Sequence, residues 1–160
     1  MKKILVAVLL TLFAAYAAYA EESHSDSLSG LTTVRAVIDL NQGKANLLDL
    51  RLVAIRKTIE NLKSEGVKPL FIVIIRGDAS AFMTESDKYI SSMDTGLKKI
   101  MHKRINELRD MGVRFQQCGL SLAYMKIDSA NIISGVEIVK NGYISLAAYQ
   151  NKGYALLPMD

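Results

Sequence analysis

The stretch Gly112–Ser121, with the sequence GVRFQQCGLS, predicts a short strand that runs directly into a helix. Val113 to Gln117 form the predicted strand, and Gly119 begins the predicted helix. Between them lies Cys118, the single cysteine of the chain. In an open α/β sheet, ligands and chemistry gather at the carboxyl ends of the strands. The stretch therefore predicts an α/β fold in which Cys118 occupies the position where a functional group is expected.

Strands and helices are predicted to alternate on both sides of this stretch. Such alternation indicates a mostly parallel sheet, here of about five strands, with helices on both of its faces. The most apolar strand is LFIVII, which predicts burial on both faces. The other predicted strands are Thr33–Leu40, Val136–Val139 and Tyr154–Leu157, the last ended by Pro158, and the predicted helices are Ala45–Ser64, Gly96–Met111, Gly119–Met125 and Tyr143–Asn151.

Two of the helices carry apolar residues at helical spacing, which predicts one buried face for each helix. The polar positions between them are predicted to face solvent, including Lys98 and His102. A catalytic base at His102 is the alternative that its residue type permits. The apolar positions are Leu48, Leu52, Ile55, Ile59 and Leu62 in the first helix, and Leu97, Met101, Ile105 and Leu108 in the second.

Residues 1–20 have the pattern of a secretory signal peptide. Lys2 and Lys3 precede an apolar run, Ile4–Phe13, and the segment Ala18–Ala20 has the small-x-small form of a cleavage site. We therefore expect cleavage after residue 20 and a periplasmic or secreted protein. No later segment is apolar for the ~20 residues that a membrane-spanning helix requires, so no membrane association is expected after cleavage.

Residues 21–31 are polar and serine-rich, which predicts a flexible linker before an α/β domain at 32–160. The whole chain has a net charge of +4, and removal of two signal-peptide lysines leaves +2, from 18 basic and 16 acidic residues. No basic run with interleaved aromatic residues is present, which argues against nucleic acid as a partner. His24, in the linker, is predicted to be solvated.

Three blocks of sequence resemble the DsrE/DsrF-like proteins of the sulfur-relay group. They are Gly112-Val113-x-Phe115-x-x-Cys118-Gly119, Gly135–Val139 and Gly153–Ala155. The apolar strand before Arg76-Gly77 also resembles the second strand of that family. The resemblance covers roughly residues 32–158. It implies a three-layer α/β/α fold, assembly into oligomers that are often trimers or hexamers, and, in some members, a cysteine that carries sulfur as a persulfide. That role can fall only on Cys118.

Persulfide chemistry requires a thiolate, and a free cysteine has a pKa of about 8.5. The backbone amides of Leu120 and Ser121 are predicted to open a helix toward the sulfur, and Gly119 allows close approach of the backbone. Arg76 and Gly77, at the end of a neighbouring strand, are predicted to add a positive charge and a loop to the same binding region. On this hypothesis the sulfur lies within reach of solvent at the edge of the sheet.

The alternative for Cys118 is an inert thiol buried in the core, because cysteine is among the most frequently buried residue types. The protein would then be a non-catalytic oligomeric module that binds a small ligand or another protein. An intermolecular disulfide is also open to a lone cysteine. One cysteine and two distant histidines give no recognisable set of metal ligands, and no hydrolase nucleophile motif follows a strand. No metal and no organic cofactor is therefore expected. A protein that donates or accepts sulfur is a possible partner.

Overall fold

The computed structural model of the protein describes residues 25–160. Five parallel strands form one sheet in the order β4-β3-β2-β1-β5. The predicted α/β class is confirmed, and the five strands of residues 33–160 are all parallel. The strands are β1 (Thr33–Leu40), β2 (Lys68–Ile75), β3 (Arg114–Cys118), β4 (Val136–Val139) and β5 (Ala155–Met159).

Helices connect these strands and cover the sheet. The four in the domain are α2 (Ala45–Ser64), α3 (Thr95–Asp110), α4 (Gly119–Met125) and α5 (Gly142–Asn151). Short 3₁₀ turns occupy Gly77–Met83, Asp87–Tyr89, Ser92–Asp94 and Ser129–Asn131. The region between β2 and α3 therefore consists of three short 3₁₀ turns and the segments that join them.

The predicted buried stripe of α2 is confirmed, with Leu48, Leu52 and Ile55 fully buried. Spacings of three and four residues place these side chains on one side of the helix, where they pack against the sheet and α3. In β2, all residues from Phe71 to Ile75 are buried. A strand that is covered on both faces requires this uninterrupted apolar sequence, since alternate side chains point to opposite faces.

Helix α5 packs on the face of the sheet opposite to α2 and α3, where it touches β1, β2, β3 and β5. Leu146 of α5 enters a core cluster with Val37, Ile72 and Ile74. The chain moves from β1 to β4 in one direction, and then α5 returns it across the sheet to β5, beside β1. Right-handed crossovers place helices on opposite faces when the direction of travel reverses. The carboxyl ends of β3 and β4 thus lead to opposite faces of the sheet, which is where open α/β sheets commonly bind ligands.

Lys98 was predicted to face solvent, and this prediction is wrong because Lys98 is 1% exposed. Its ammonium group donates to Thr84 Oγ1 at 3.3 Å, to the Ser86 carbonyl at 2.8 Å and to Asp87 Oδ1 at 2.9 Å. These acceptors satisfy the charge, so the lysine takes the buried helix position beside Met101. His102 is half-buried, and its Nε2 lies 2.7 Å from the Phe82 carbonyl oxygen, an interaction that orients the ring within the fold.

The last strand was predicted to end before Pro158, but β5 continues through this residue to Met159. Pro158 pairs with Asp39 in the register of β1 and β5. β5 lies at the edge of the sheet with β1 as its only neighbour. Proline is tolerated on an edge strand, because its missing N–H can lie on the side without a partner strand.

A four-residue helix, α1 (Ser25–Leu28), lies inside the segment that was predicted to be a linker. The predicted signal peptide at 1–20 lies outside the described residues. Within 25–160, none of the helices combines the length and the apolar character needed to cross a membrane.

Candidate functional site at the end of β3

Cys118 is the last residue of β3 and the N-cap residue of α4, as the sequence predicted. Its side chain, however, does not lie at an open edge. Cys118 is 1% exposed, so the expectation of a sulfur within reach of solvent is wrong for this conformation. The physical reason is that the first turn of α5 packs directly onto the thiol, as the contacts of Gly142 show.

Gly142, the first residue of α5, donates its backbone N–H to the Cys118 sulfur at an N–Sγ distance of 3.1 Å. Burial is the largest single influence and alone raises the pKa of the Cys118 thiol. The hydrogen bond from Gly142, with smaller contributions from Ser121 and Leu120 at the start of α4, lowers the pKa below its ordinary value.

Two glycines allow the backbone to approach the cysteine this closely. A Cβ atom at Gly142 would lie 3.0 Å from Cys118 Cβ and 3.0 Å from Ile74 Cγ2. A Cβ atom at Gly119 would lie 2.9 Å from the Val139 carbonyl oxygen. Side chains at these positions would therefore separate α5 from the thiol or α4 from the end of β4.

Arg76 follows β2 at the same edge of the sheet, and its side chain forms hydrogen bonds with two residues. Its Nε and Nη2 each donate to a different carboxylate oxygen of Asp39, both at 2.6 Å. Its Nη1 donates to the Tyr143 hydroxyl at 2.9 Å, and its guanidinium carbon lies 4.5 Å from the centre of that ring. The hydrogen bond with Asp39 is the main reason that the pKa of Arg76 is raised, and the charge of Cys118 contributes in the same direction.

Gly77 lies in the loop after β2 and connects that loop to α4, the helix that follows Cys118. Its backbone N–H donates to Ser121 Oγ at 2.9 Å. Gly77 has a φ of +54°, in the left-handed region that favours glycine. The loop after β2 is therefore joined to the first turn of α4 through a serine hydroxyl.

The structure brings together all of the residues singled out from the sequence, namely Cys118, Arg76, Gly77, Gly119, Leu120 and Ser121. Three others that contribute to the site were missed: Asp39, Gly142 and Tyr143. The last helix was predicted to begin at Tyr143, but it begins at Gly142 with Asn141 as its N-cap, and Asn141 Oδ1 accepts the Tyr143 N–H at 2.9 Å. Asparagine is a preferred N-cap residue, which is the signal that identifies this helix start.

The cap residue Asn141 positions the helix end that touches the sulfur. We expect Asn141→Ala to lower the free energy of unfolding by about 1 kcal/mol, because the Tyr143 N–H loses its acceptor. Urea unfolding measures the change. Asn151→Ala, at the exposed far end of the same helix, is the control and should change stability by no more than about 0.5 kcal/mol. Equal effects of the two substitutions would contradict the role of the cap.

The lowered pKa of Cys118 makes folding stability depend on pH. The folded state favours the thiolate, so its contribution is fully present above the unfolded-state pKa of about 8.5 and is lost as the pH falls through the folded-state pKa. We expect the stability of the wild-type protein relative to Cys118→Ala to increase as the pH is raised toward about 8.5. Urea unfolding of both proteins over this range tests it. A difference that shrinks with rising pH would contradict the lowered pKa.

In the described part of the chain, no three histidine, cysteine, aspartate or glutamate side chains are grouped so that they could hold a metal ion. The chemistry that this arrangement can support is that of a sulfur anion. Such an anion would accept the Gly142 N–H and would lie near an arginine that is already paired.

Comparison with known proteins relates this chain to a family. The model of the DsrE/DsrF-like family matches residues 13–159, a match that begins within the predicted signal peptide. A protein of Aquifex aeolicus, described as uncharacterized, is 28% identical over 126 residues. That match covers 78% of this chain and 56% of the Aquifex protein, so the chain spans just over half the length of this relative.

A solved structure of a protein of unknown function from Methanobacterium thermoautotrophicum has a similar fold. The TM-score is 0.63 at 18% identity, and the match covers 78% of this chain and 98% of the other. At this identity, the likeness concerns the arrangement of strands and helices.

Proposed function

The chain belongs to the DsrE/DsrF-like family, whose model matches residues 13–159, and on that premise we propose that it binds or relays sulfur as a persulfide on Cys118. The observation that carries the proposal is the N–H of Gly142, which points at the sulfur from a distance of 3.1 Å. This donor belongs to the N-terminus of α5, where the helix dipole also favours negative charge. It therefore favours the thiolate that sulfur transfer needs.

The transfer step is a thiol exchange. The Cys118 thiolate attacks the outer sulfur of a donor persulfide, R–S–SH, and a new S–S bond forms to Cys118 as the S–S bond of the donor breaks. The donor leaves as the thiolate R–S⁻, and the proton stays on the new persulfide or passes to the departing thiolate. One sulfur atom moves and no external oxidant or reductant is required.

Burial of the sulfur restricts which donors can react. At 1% exposure, Cys118 is reached only when the segments around it move. The start of α5 is the proposed moving part, because Gly142 lies directly on the thiol. A small persulfide then reacts during brief openings of this segment, whereas a protein donor binds to the open conformation and stabilises it.

The test is sulfur loading followed by intact mass measurement. The folded protein is incubated with glutathione persulfide, and the same experiment is made with Cys118→Ser. The proposal expects a gain of one or more sulfur atoms in the wild-type protein and none in the variant. A folded wild-type protein that gains no sulfur at any donor concentration, although its unfolded chain does, would overturn the proposal.

A second function is favoured by the burial of Cys118. If the thiol is an inert part of the core, the protein is a binding module for a small ligand or another protein. The same loading experiment distinguishes the two, since the module predicts no uptake in the folded state. It also predicts that Cys118→Ala binds the same ligands as the wild-type protein.

We further propose that the protein forms a homo-oligomer. Large apolar side chains are exposed near the site, at Leu120, Tyr124, Tyr143 and Ile144. Tyr124 is 90% exposed and Ile144 is 64% exposed, and neighbouring apolar side chains of this kind mark association surfaces. Sedimentation at micromolar concentration tests this proposal. A purely monomeric protein would contradict it.

Export to the periplasm or beyond the cell is proposed from the pattern of Lys2, Lys3 and the apolar run that follows. Mass measurement of the protein purified from its own cell tests it. A chain that retains residues 1–20 would contradict cleavage.

A further inference from the structure

The first turn of α5 covers the Cys118 sulfur, yet little of that turn belongs to the apolar core. Gly142 is buried against the cysteine, whereas the next two residues, Tyr143 and Ile144, are 58% and 64% exposed. The first buried apolar side chain of α5 is that of Leu146, one turn further along the helix. The core therefore holds α5 from Leu146 onwards and leaves its first turn to other contacts.

Tyr143 supplies such a contact. Its hydroxyl accepts a hydrogen bond from Arg76 Nη1 at 2.9 Å, and the guanidinium carbon of Arg76 lies 4.5 Å from the centre of its ring. Arg76 is itself fixed to the sheet, because two hydrogen bonds of 2.6 Å join its side chain to Asp39 at the end of β1. The residue before Tyr143 is Gly142, whose N–H donates to the Cys118 sulfur. Consecutive residues of α5 thus make the outer contact with the arginine and the inner contact with the sulfur.

Helix α4 flanks the thiol as well, but it cannot open in the same way. It begins directly after Cys118, so the chain itself joins this helix to the cysteine. Its first turn is also joined to the loop after β2, because the Gly77 N–H donates to Ser121 Oγ at 2.9 Å. The start of α5 is 24 residues away along the chain and meets the sulfur only through space. Access to the sulfur therefore requires movement of α5 rather than of α4.

We propose that Arg76 and Tyr143 form a latch that controls access to Cys118. While the guanidinium holds the tyrosine, the first turn of α5 covers the sulfur, and release of the tyrosine uncovers it. This inference rests on the proposed function and adds the device that regulates it. Arg76 keeps its partner Asp39 when the latch opens, so opening leaves no unpaired buried charge. The core around Leu146 also stays intact, which makes the opening a local event.

The experiment measures the rate at which N-ethylmaleimide alkylates the folded protein, followed by intact mass. The chain has one cysteine, so a single adduct reports access to Cys118. The reagent reacts with the open form, and the rate is therefore proportional to the population of that form. We expect Tyr143→Phe, which removes only the hydroxyl, to accelerate alkylation about fivefold, the effect of one hydrogen bond. Tyr143→Ala also removes the ring and should accelerate it about twentyfold.

Ile144→Ala is the matched control, because Ile144 lies in the same turn and is exposed to a similar extent. It removes apolar surface beside the latch, so it also controls for any effect of self-association. Its side chain can make neither of the two contacts with Arg76, and the rate should change by less than about twofold. A wild-type rate in Tyr143→Ala would overturn the inference, and so would an equal acceleration in Ile144→Ala.

Urea separates opening of the latch from global unfolding. Local opening exposes little surface, so alkylation at low urea concentrations should be nearly independent of urea in the wild-type protein and in the Tyr143 variants. A rate that rises with the full slope of global unfolding at all urea concentrations would overturn the latch. Sulfur loading from glutathione persulfide is measured in parallel. Faster alkylation of the variants without any loading refutes the sulfur-relay function alone, and loading at a rate that Tyr143→Ala leaves unchanged refutes the latch alone.

Discussion

Asp39→Asn is expected to lower the free energy of unfolding by about 2 to 3 kcal/mol, a value between those of exposed and buried ion pairs. The side chains of Arg76 and Asp39 are 17% and 14% exposed, so water can replace little of the charge and hydrogen bonding that the carboxylate gives to Arg76. Arg76 would lose the charge that balances it and one of two hydrogen bonds at 2.6 Å. Urea unfolding measures the loss.

A second arginine–aspartate pair supplies the control. Asp49 of α2 accepts from Arg104 Nε of α3 at 2.7 Å, and these side chains are 17% and 28% exposed. This pair makes one hydrogen bond where the pair at the sheet edge makes two, so Asp49→Asn should lower the free energy of unfolding by about 1 kcal/mol. It should also leave the ionisation of Cys118 unchanged. An Asp39→Asn protein as stable as the Asp49→Asn protein would contradict the structural role given to the Arg76 pair.

Gly119→Ala is expected to lower the free energy of unfolding by about 1 to 3 kcal/mol through overpacking. The new Cβ atom would lie 2.9 Å from the carbonyl oxygen of Val139 and 3.3 Å from that of Lys140. Both oxygens belong to the backbone, which cannot turn aside as a flexible side chain would. Relief requires α4, which begins directly after Cys118, to move away from the end of β4.

Gly96→Ala is the matched substitution, because Gly96 is also near the start of a helix and a Cβ atom there would meet nothing within 4 Å. Alanine has the higher helix propensity, so this variant should be stabilised by up to about 1 kcal/mol. The two substitutions therefore have opposite signs. Destabilisation of both to a similar extent would show that the contact with Val139 does not decide the effect.

The order and bounds of most strands and helices could be predicted from the sequence because they depend on local patterns. The bounds of β1, α2, α4 and β4 follow from apolar periodicity and from the residues that end each element. Pro158 and Lys98 were misjudged because their environments are set by tertiary contacts. The edge position of β5 tolerates the proline, and three acceptors from a distant turn accommodate the lysine.

The site was predictable in part for the same reason. Parallel strands bring their carboxyl ends to one edge of the sheet, so Cys118 and Arg76 could be placed together from the order of elements alone. The partner of Arg76 and the donor to Cys118 could not be predicted in this way. Asp39 lies 37 residues from Arg76 along the chain, and Gly142 lies 24 residues from Cys118. The burial of the sulfur depends on how α5 packs after its return across the sheet. Local sequence patterns contain no information on that packing.

Titration of the Cys118 thiol in the folded and in the unfolded protein tests the central claim most directly. The Gly142 N–H at the start of α5 should give the native thiol a pKa below that of the unfolded chain. The Cβ resonance of the single labelled cysteine follows this ionisation without interference from other groups. A native pKa at or above the unfolded value would mean that burial outweighs the hydrogen bonds. The cysteine would then be an inert core residue rather than a sulfur carrier.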